Sequence, residues 1–273
     1  MAYSMGMLGV PVALVGAVGP DFAPYRTVLE RLGIDLSHVP VIEDDLTSAA
    51  YMNADLAGNQ IASFYPGAGA NSKNIDVRDI AASARYGIIS AGDPVAMMDH
   101  AQQIAESGAQ LIFDPAQQIV ILSGDDLRKG IGLASIAIGN DYEFGMIERK
   151  TGLTIDDIAS MVPTTVVTYG DRGSEIRANG SSVTIPIATP EKVVDPTGGG
   201  DAYRAGLVLG LLLGADHAVS GRLAALAATY AIERHGPQEH AYTPESFLAR
   251  FDQSFPDFAG AVKVDDIAHL QTA

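Results

Sequence analysis

Between residues 87 and 169 the chain alternates apolar runs too short for helices with amphipathic segments of helix length. The runs are Gly87–Ser90, Leu111–Phe113, Ser135–Ile138 and Thr165–Tyr169. The segments between them are Pro94–Ser107, Asp125–Leu133, Glu143–Lys150 and Asp156–Met161. Runs without polar alternation must be covered on both faces, and parallel strands joined by helices meet that demand. The pattern predicts an α/β fold: a mainly parallel sheet between two helix layers. Upstream, Val10–Gly16 reads as a strand, and Phe22–Leu32 as a helix with Val28, Leu29 and Leu32 on one face. Downstream, Ser174–Arg177 and Ser182–Ile185 flank Asn179-Gly180 as a hairpin. The last third reads as helices over Asp201–Leu213, Ala218–Arg234 and Pro244–Ser254.

One segment breaks the alternation. Tyr51–Asp55 and Gln60–Tyr65 flank Ala57-Gly58-Asn59, a hairpin signal that predicts a flap or lid over about 47–68. There is no repeat or linker, so residues 1–273 read as one domain with a small β excursion.

Residues 1–20 carry no charged side chain. A signal peptide needs a basic start, and a membrane span does not suit Ser4, Pro11, Pro20 and four glycines. The stretch reads instead as a short buried helix followed by a buried strand. The whole chain has 17 basic and 33 acidic residues, a formal charge of −16. That argues against nucleic-acid polymers, which are gripped by Lys and Arg, but not against a small phosphorylated ligand held by backbone amides. With no cysteine there is no disulfide framework, thiolate nucleophile or Cys-ligated zinc. A cytoplasmic location and no membrane association are expected.

The most informative segment is Asp195-Pro196-Thr197-Gly198-Gly199-Gly200-Asp201-Ala202-Tyr203-Arg204-Ala205-Gly206. Three glycines before a helix leave backbone N–H groups unobstructed and aligned with the helix dipole, a cradle for a phosphoryl group. Asp201 stands beside it, where a general base could take a proton from an attacking hydroxyl. Taken alone, the plainer reading is a glycine loop and an ordinary first-turn carboxylate.

Four further features bear on the choice. Asn140 and Glu143 follow an apolar strand and share a helix face; they read equally as a Mg²⁺ or phosphate site and as a helix cap. Thr168-Tyr169-Gly170-Asp171-Arg172-Gly173 ends a strand in a tight turn, either a nucleotide-facing loop or a plain hairpin. Asp114 and Asp93 end two other strands, and Asp93 reads better as a cap. His235-Gly236-Pro237 ends the long apolar helix, as an ordinary stop or as the border of a base pocket. His235 and His240 are too isolated for a metal site. There is no P-loop, dinucleotide fingerprint or Gly-x-Ser-x-Gly elbow.

Asp195–Asp201 resembles the Asp-x-Thr-Gly-x-Gly-Asp signature of the ribokinase-like (PfkB) family of ATP-dependent sugar and nucleoside kinases. Asn140-x-x-Glu143 and Thr168-x-Gly170-x-x-Gly173 precede it in the family's order. Phe113-Asp114-Pro115 with Gln117, Phe64-Tyr65-Pro66-Gly67-Ala68 and Asp201–Gly206 look like the bacterial adenosine-type nucleoside kinase branch. The resemblance runs from Ala2 to about Phe255.

It implies a three-layer α/β/α sandwich with a β lid, and transfer of the γ-phosphoryl of ATP to the 5′-hydroxyl of a ribonucleoside. Asp201 is then the base, and Gly198, Gly199 and Gly200 form the anion hole. Asn140 and Glu143 organise Mg²⁺ and phosphate through water. Thr168, Gly170, Gly173 and Thr197 border ATP, while Tyr51, Phe64, Pro66 and Asp114 lie on the lid and substrate side. A monovalent cation (K⁺) near Asp195 is a weaker implication, as is a homodimer through the lid strands. A ribokinase- or fructokinase-type sugar kinase and a non-catalytic nucleotide-binding remnant are the alternatives. Gly199 stands where the family more often has Ala. The match also begins inside the family's first helix. A strand with a sugar-gripping Asp and a Gly-Gly-rich segment are therefore expected upstream, with Met1 an internal methionine.

Overall fold

A computed structural model of the chain describes residues 1–54 and 60–270. The turn expected at Ala57-Gly58-Asn59 lies outside the described residues. The chain opens with α1 (Ala2–Met7), β1 (Ala13–Val15), α2 (Ala23–Arg31) and β2 (Asp35–His38), then the ribbon β3 (Ala49–Ala54) and β4 (Gln60–Tyr65). Next come α3 (Arg78–Ser83), β5 (Tyr86–Ile89), α4 (Pro94–Ser107), β6 (Gln110–Phe113), α5 (Gly124–Leu133) and β7 (Ile136–Asn140). α6 (Asp141–Thr151), α7 (Ile155–Met161), β8 (Thr164–Thr168), β9 (Ser174–Ala178) and β10 (Ser181–Ile185) follow. The chain ends in α8 (Gly199–Leu212), α9 (His217–Ile232), α10 (Pro244–Ser254) and α11 (Val264–Leu270).

Six strands form the main sheet in the order β10-β9-β8-β7-β6-β5. β5 to β8 run parallel, and β9 and β10 are antiparallel additions. Successive side chains of a strand point to opposite faces, and the core divides accordingly. Ile112, Ile136, Ile138 and Val166 pack with α1, α8, α9 and α10 on one face. Leu111, Phe113, Ala137 and Val167 pack with α4, α5 and α6 on the other. The expected three layers are therefore present, and the four parallel strands end at one edge with Ser90, Asp114, Asn140 and Thr168.

α8 and α9 are apolar almost all round because both are buried. Their crossing is close: a Cβ on Gly206 would stand 2.5 Å from Leu223 O, and one on Gly210 would stand 2.5 Å from Ser220 Cα. At the β9–β10 turn, Asn179 (φ 52°) and Gly180 (φ 72°) take the left-handed conformation of a two-residue hairpin.

Several expectations need correction. The strand expected over Val10–Gly16 shrinks to Ala13–Val15, which pairs in parallel with β2, a short strand that hydropathy did not reveal. Val28 is 40% exposed, so Leu29, 1% exposed, is the residue of that helix committed to the core. α3 and α11 are additional to the expected helices; at six and seven residues each is too short for a helical period to stand out. The β3–β4 ribbon pairs only with itself among the described residues. Its root is pinned, since the N–H and hydroxyl of Thr47 each donate to Asp21 Oδ1 at 2.8 Å. Among the described residues no helix is long and apolar enough to cross a membrane.

Candidate active site

The glycine signature folds as a tight entry into α8. Gly198 sits at φ 82°, and a Cβ there would meet Pro237 Cβ at 2.6 Å. Only glycine satisfies both conditions. The Gly199 N–H donates to Pro196 O at 3.2 Å and the Ala202 N–H to Gly198 O at 2.9 Å. The N–H groups of Gly198, Gly200 and Asp201 have no acceptor among the described residues. They sit at the positive end of a 14-residue helix. Of the three glycines expected to line an anion hole, Gly199 thus has its N–H already engaged, and the Asp201 N–H stands open beside the other two. The Asp201 side chain is exposed on the same turn.

Asp195 is tied into the loop before this turn. Its Oδ1 accepts from Thr197 N–H at 2.9 Å and its Oδ2 from Gly236 N–H at 2.9 Å. These bonds, with those from Thr197 foremost, hold its carboxyl down at about 2. The Gly236 bond ties the signature to the loop after α9. That loop and Tyr25 of α2 line a broad, open depression of about 480 Å³, with His235, Pro237, Gln238 and Glu239 on its wall. The sequence pointed to the loop as a pocket border but not to Tyr25, which no local motif marks.

Asn140 and Glu143 form a reciprocal cap at the start of α6. Asn140 Oδ1 accepts from Glu143 N–H at 2.8 Å, and Glu143 Oε2 accepts from Asn140 N–H at 2.7 Å. The cap reading is therefore realised, and it orients the carboxylate toward the rim while Oε1 stays unused by the cap. Burial pushes the Glu143 carboxyl up, against the pull of its Asn140 bond.

Thr168 ends β8 beside Asn140, its partner in register. Gly170 (φ 62°) and Gly173 (φ 84°) shape the turn that follows. At Gly173 a Cβ would strike Ile185 O, only 2.1 Å away. Arg172 bridges this turn to the α6 start through Asp141 Oδ2 at 2.7 Å. Thr197 is exposed at the signature.

The structure puts Asp114 beneath the rim. It is 1% exposed, and its oxygens accept from Arg204 Nη2 at 2.6 Å and Ser90 Oγ at 3.1 Å. Burial drives this carboxyl upward against the pull of Arg204. Tyr51 and Phe64 are exposed on the ribbon, and Pro66 is exposed just after it. Asp93 caps α4, accepting from Val95 and Ala96 N–H groups at 3.0 Å.

Asp114, Asn140, Glu143, Asp201 and Arg204 therefore meet at one edge of the sheet. In the sequence Arg204 stands only as part of the Asp201–Gly206 motif. A signal was present: it is the one charged residue in the run Ala202–Leu213.

Residues 1–244 match the description "pfkB family carbohydrate kinase". A nucleoside kinase of Methanothermobacter thermautotrophicus is 35% identical over 248 residues, 89% of this chain and 80% of that one. The structure of Burkholderia thailandensis nucleoside kinase in complex with inosine superposes with a TM-score of 0.89 at 36% identity, covering 93% of this chain and 84% of that one. The same enzyme in complex with ADP-inosine gives a TM-score of 0.87 at 36% identity, over 93% of this chain and 80% of that one.

Proposed function

This chain belongs to the pfkB family of carbohydrate kinases, and from that premise we propose that it phosphorylates the 5′-hydroxyl of a ribonucleoside at the expense of ATP. The observation that carries the reading is the exposed Asp201 carboxylate on the same helix turn as the open N–H groups of Gly198, Gly200 and Asp201. A base and an anion cradle within one turn meet the two needs of phosphoryl transfer, proton removal and charge stabilisation. The nucleoside kinase relatives favour a nucleoside over a free sugar as acceptor.

In the transfer, Asp201 takes the proton as the hydroxyl oxygen bonds to the γ-phosphorus. The bond from that phosphorus to the β–γ bridging oxygen breaks, and ADP leaves with the electron pair. The open N–H groups stabilise the charge gathered on the γ-phosphoryl oxygens. The open depression beside Pro237 suits the nucleoside, with Tyr25 among the residues that line it. The β3–β4 ribbon would then close over the site and exclude water.

Among the described residues no three His, Cys, Asp or Glu side chains converge on one point. That suits Mg²⁺, which commonly keeps its waters and binds through one or two carboxylates and substrate phosphates. Glu143, through the oxygen its cap leaves unused, and Asn140 are the residues that would hold it by way of water. When bound, the ion neutralises charge on the β- and γ-phosphate oxygens. A K⁺ near Asp195 finds a poorer donor set, since both carboxylate oxygens already accept backbone N–H bonds.

The test is ADP release with Mg²⁺ and ATP across inosine, adenosine, guanosine, cytidine, ribose and fructose. Turnover with a nucleoside well above either sugar is expected. Preference for a free sugar overturns the acceptor, and no turnover with any of them overturns the kinase reading.

A further inference from the structure

The floor of the site holds a buried charge cluster that none of the transfer steps above uses. Arg204 lies three residues after Asp201 on α8, with a side chain only 9% exposed. Its guanidinium folds back along the helix, so that a Cβ on Gly200 would stand 2.8 Å from Nη1. Nη2 donates to Asp114 Oδ1 at 2.6 Å, and Nε abuts Asp114 Oδ2. Nη2 also faces Glu143 Oε2 at 4.0 Å, the oxygen that accepts the Asn140 N–H at 2.7 Å. Ser90 adds a hydroxyl to Asp114. Arg204 thereby connects α8 to Asp114 and Ser90, just past β6 and β5, and to Glu143 in the first turn of α6.

Stability is a poor reason for such a cluster. Desolvating an ion pair costs several kcal/mol per charge, and well-packed apolar replacements are often neutral or stabilising. What an apolar pair does not supply is a directed, charge-assisted hydrogen bond such as that from Arg204 Nη2 to Asp114 Oδ1, with Glu143 Oε2 facing the same nitrogen. In phosphoryl transfer that geometry matters, because a misplacement of about 1 Å can cost on the order of a hundredfold in rate.

The geometry points to Arg204 as a positioning residue for phosphoryl transfer. Through Asp114 and Glu143 it locks the Asn140–Glu143 turn to the first turn of α8, so that the metal-side carboxylate and the base keep one spacing. The assignment rests on the proposed roles of Asp201 and Glu143. Asp114, placed by sequence on the substrate side, becomes the buried anchor of this link.

The test uses the full chain and the double variant Asp114→Asn/Arg204→Gln, which removes both charges and keeps a hydrogen-bonding pair. Two readouts are taken: kcat and KM for ATP and nucleoside, and ligand-free amide exchange followed by NMR. The double variant is expected to melt close to the parent, with kcat down about tenfold or more and both KM values within about threefold. Exchange at the Asn140 and Glu143 amides should quicken about tenfold while α5 stays unchanged.

Arg204→Lys keeps the charge but not the fork; it should also lose kcat and loosen the same two amides. It decides the matter if the double variant does not fold. Parent-like kcat and exchange in a folded variant overturn the proposal. So does a uniform rise in exchange along the chain, the mark of a merely structural role. An inactive parent defeats the kinase reading instead, and the ligand-free exchange still reports on the link.

Discussion

The backbone N–H of Gly236 donates to Asp195 Oδ2 at 2.9 Å across 41 residues of chain. This bond makes one unit of two loops, the glycine signature and the turn after α9, and Pro237 then backs Gly198. A pH prediction follows from it. The Asp195 carboxyl is held at about 2, below its ordinary 3.8. Its folded value is depressed, so its contribution is fully present above the ordinary value and is lost as pH falls toward 2. The Gly236 amide resonance should shift with a midpoint near 2; a midpoint at or above 3.8 contradicts the tether.

Gly198→Ala places a Cβ at φ 82° and 2.6 Å from Pro237 Cβ. Strain of this kind costs on the order of 1–3 kcal/mol. Urea denaturation should report a loss in that range, together with reduced turnover as the open N–H groups are re-aimed. Unchanged stability and rate in this variant would show that the turn is not constrained as described.

Asp201→Asn keeps the shape of an exposed side chain and removes only the base. Turnover is expected to fall by about 10²–10⁴-fold, while ATP binding measured by calorimetry stays within about threefold. Near-normal turnover would remove Asp201 from its role.

His240 is 1% exposed, with Tyr3 edge-on to its ring and Ser4 Oγ 3.1 Å from Nε2. Burial, aided by the nearby amino terminus, lowers its pKa to about 4. A folded value below the unfolded 6.5 means stability is intact above pH 6.5 and declines as pH falls toward 4. Thermal melts of parent and His240→Gln between pH 7 and 4 should converge, and parallel curves would sink the assignment.

Gly206→Val drives a side chain into the backbone of α9, where a Cβ alone would stand 2.5 Å from Leu223 O. Overpacking of a core crossing costs about 1–3 kcal/mol. A melting temperature equal to the parent's would mean that the two helices have room to part.

Much of the fold was legible because the controlling signals are local. Alternating apolar runs and amphipathic segments marked β5 to β8 and the helices between them, and Asn179-Gly180 marked its own turn. What was illegible has a common cause. β2 (Asp35–His38) owes its strand form to pairing with β1, and Val28 is exposed because nothing packs over its side of α2. In the candidate site, Asp201, Asn140 and Glu143 were readable from motif and spacing. The wall that Tyr25 adds to the depression was not, since α2 meets the loop after α9 only in three dimensions.

By itself the sequence determined which chemistry is available: a glycine-cushioned helix start with a carboxylate one step inside it, and strands whose ends share an edge. Backbone conformation and hydropathy act over a few residues, so these features survive reading in one dimension. Tertiary structure alone decided how the charges are spent. Asp114 and Arg204 stand 90 residues apart in the chain, and only their burial together turns a rim carboxylate into the anchor of a lock. Glu143 is divided in the same way between its cap and Arg204. The reason is electrostatic: a charge in water is cheap to leave alone, whereas a buried one must find its opposite, and the fold chooses which one it meets.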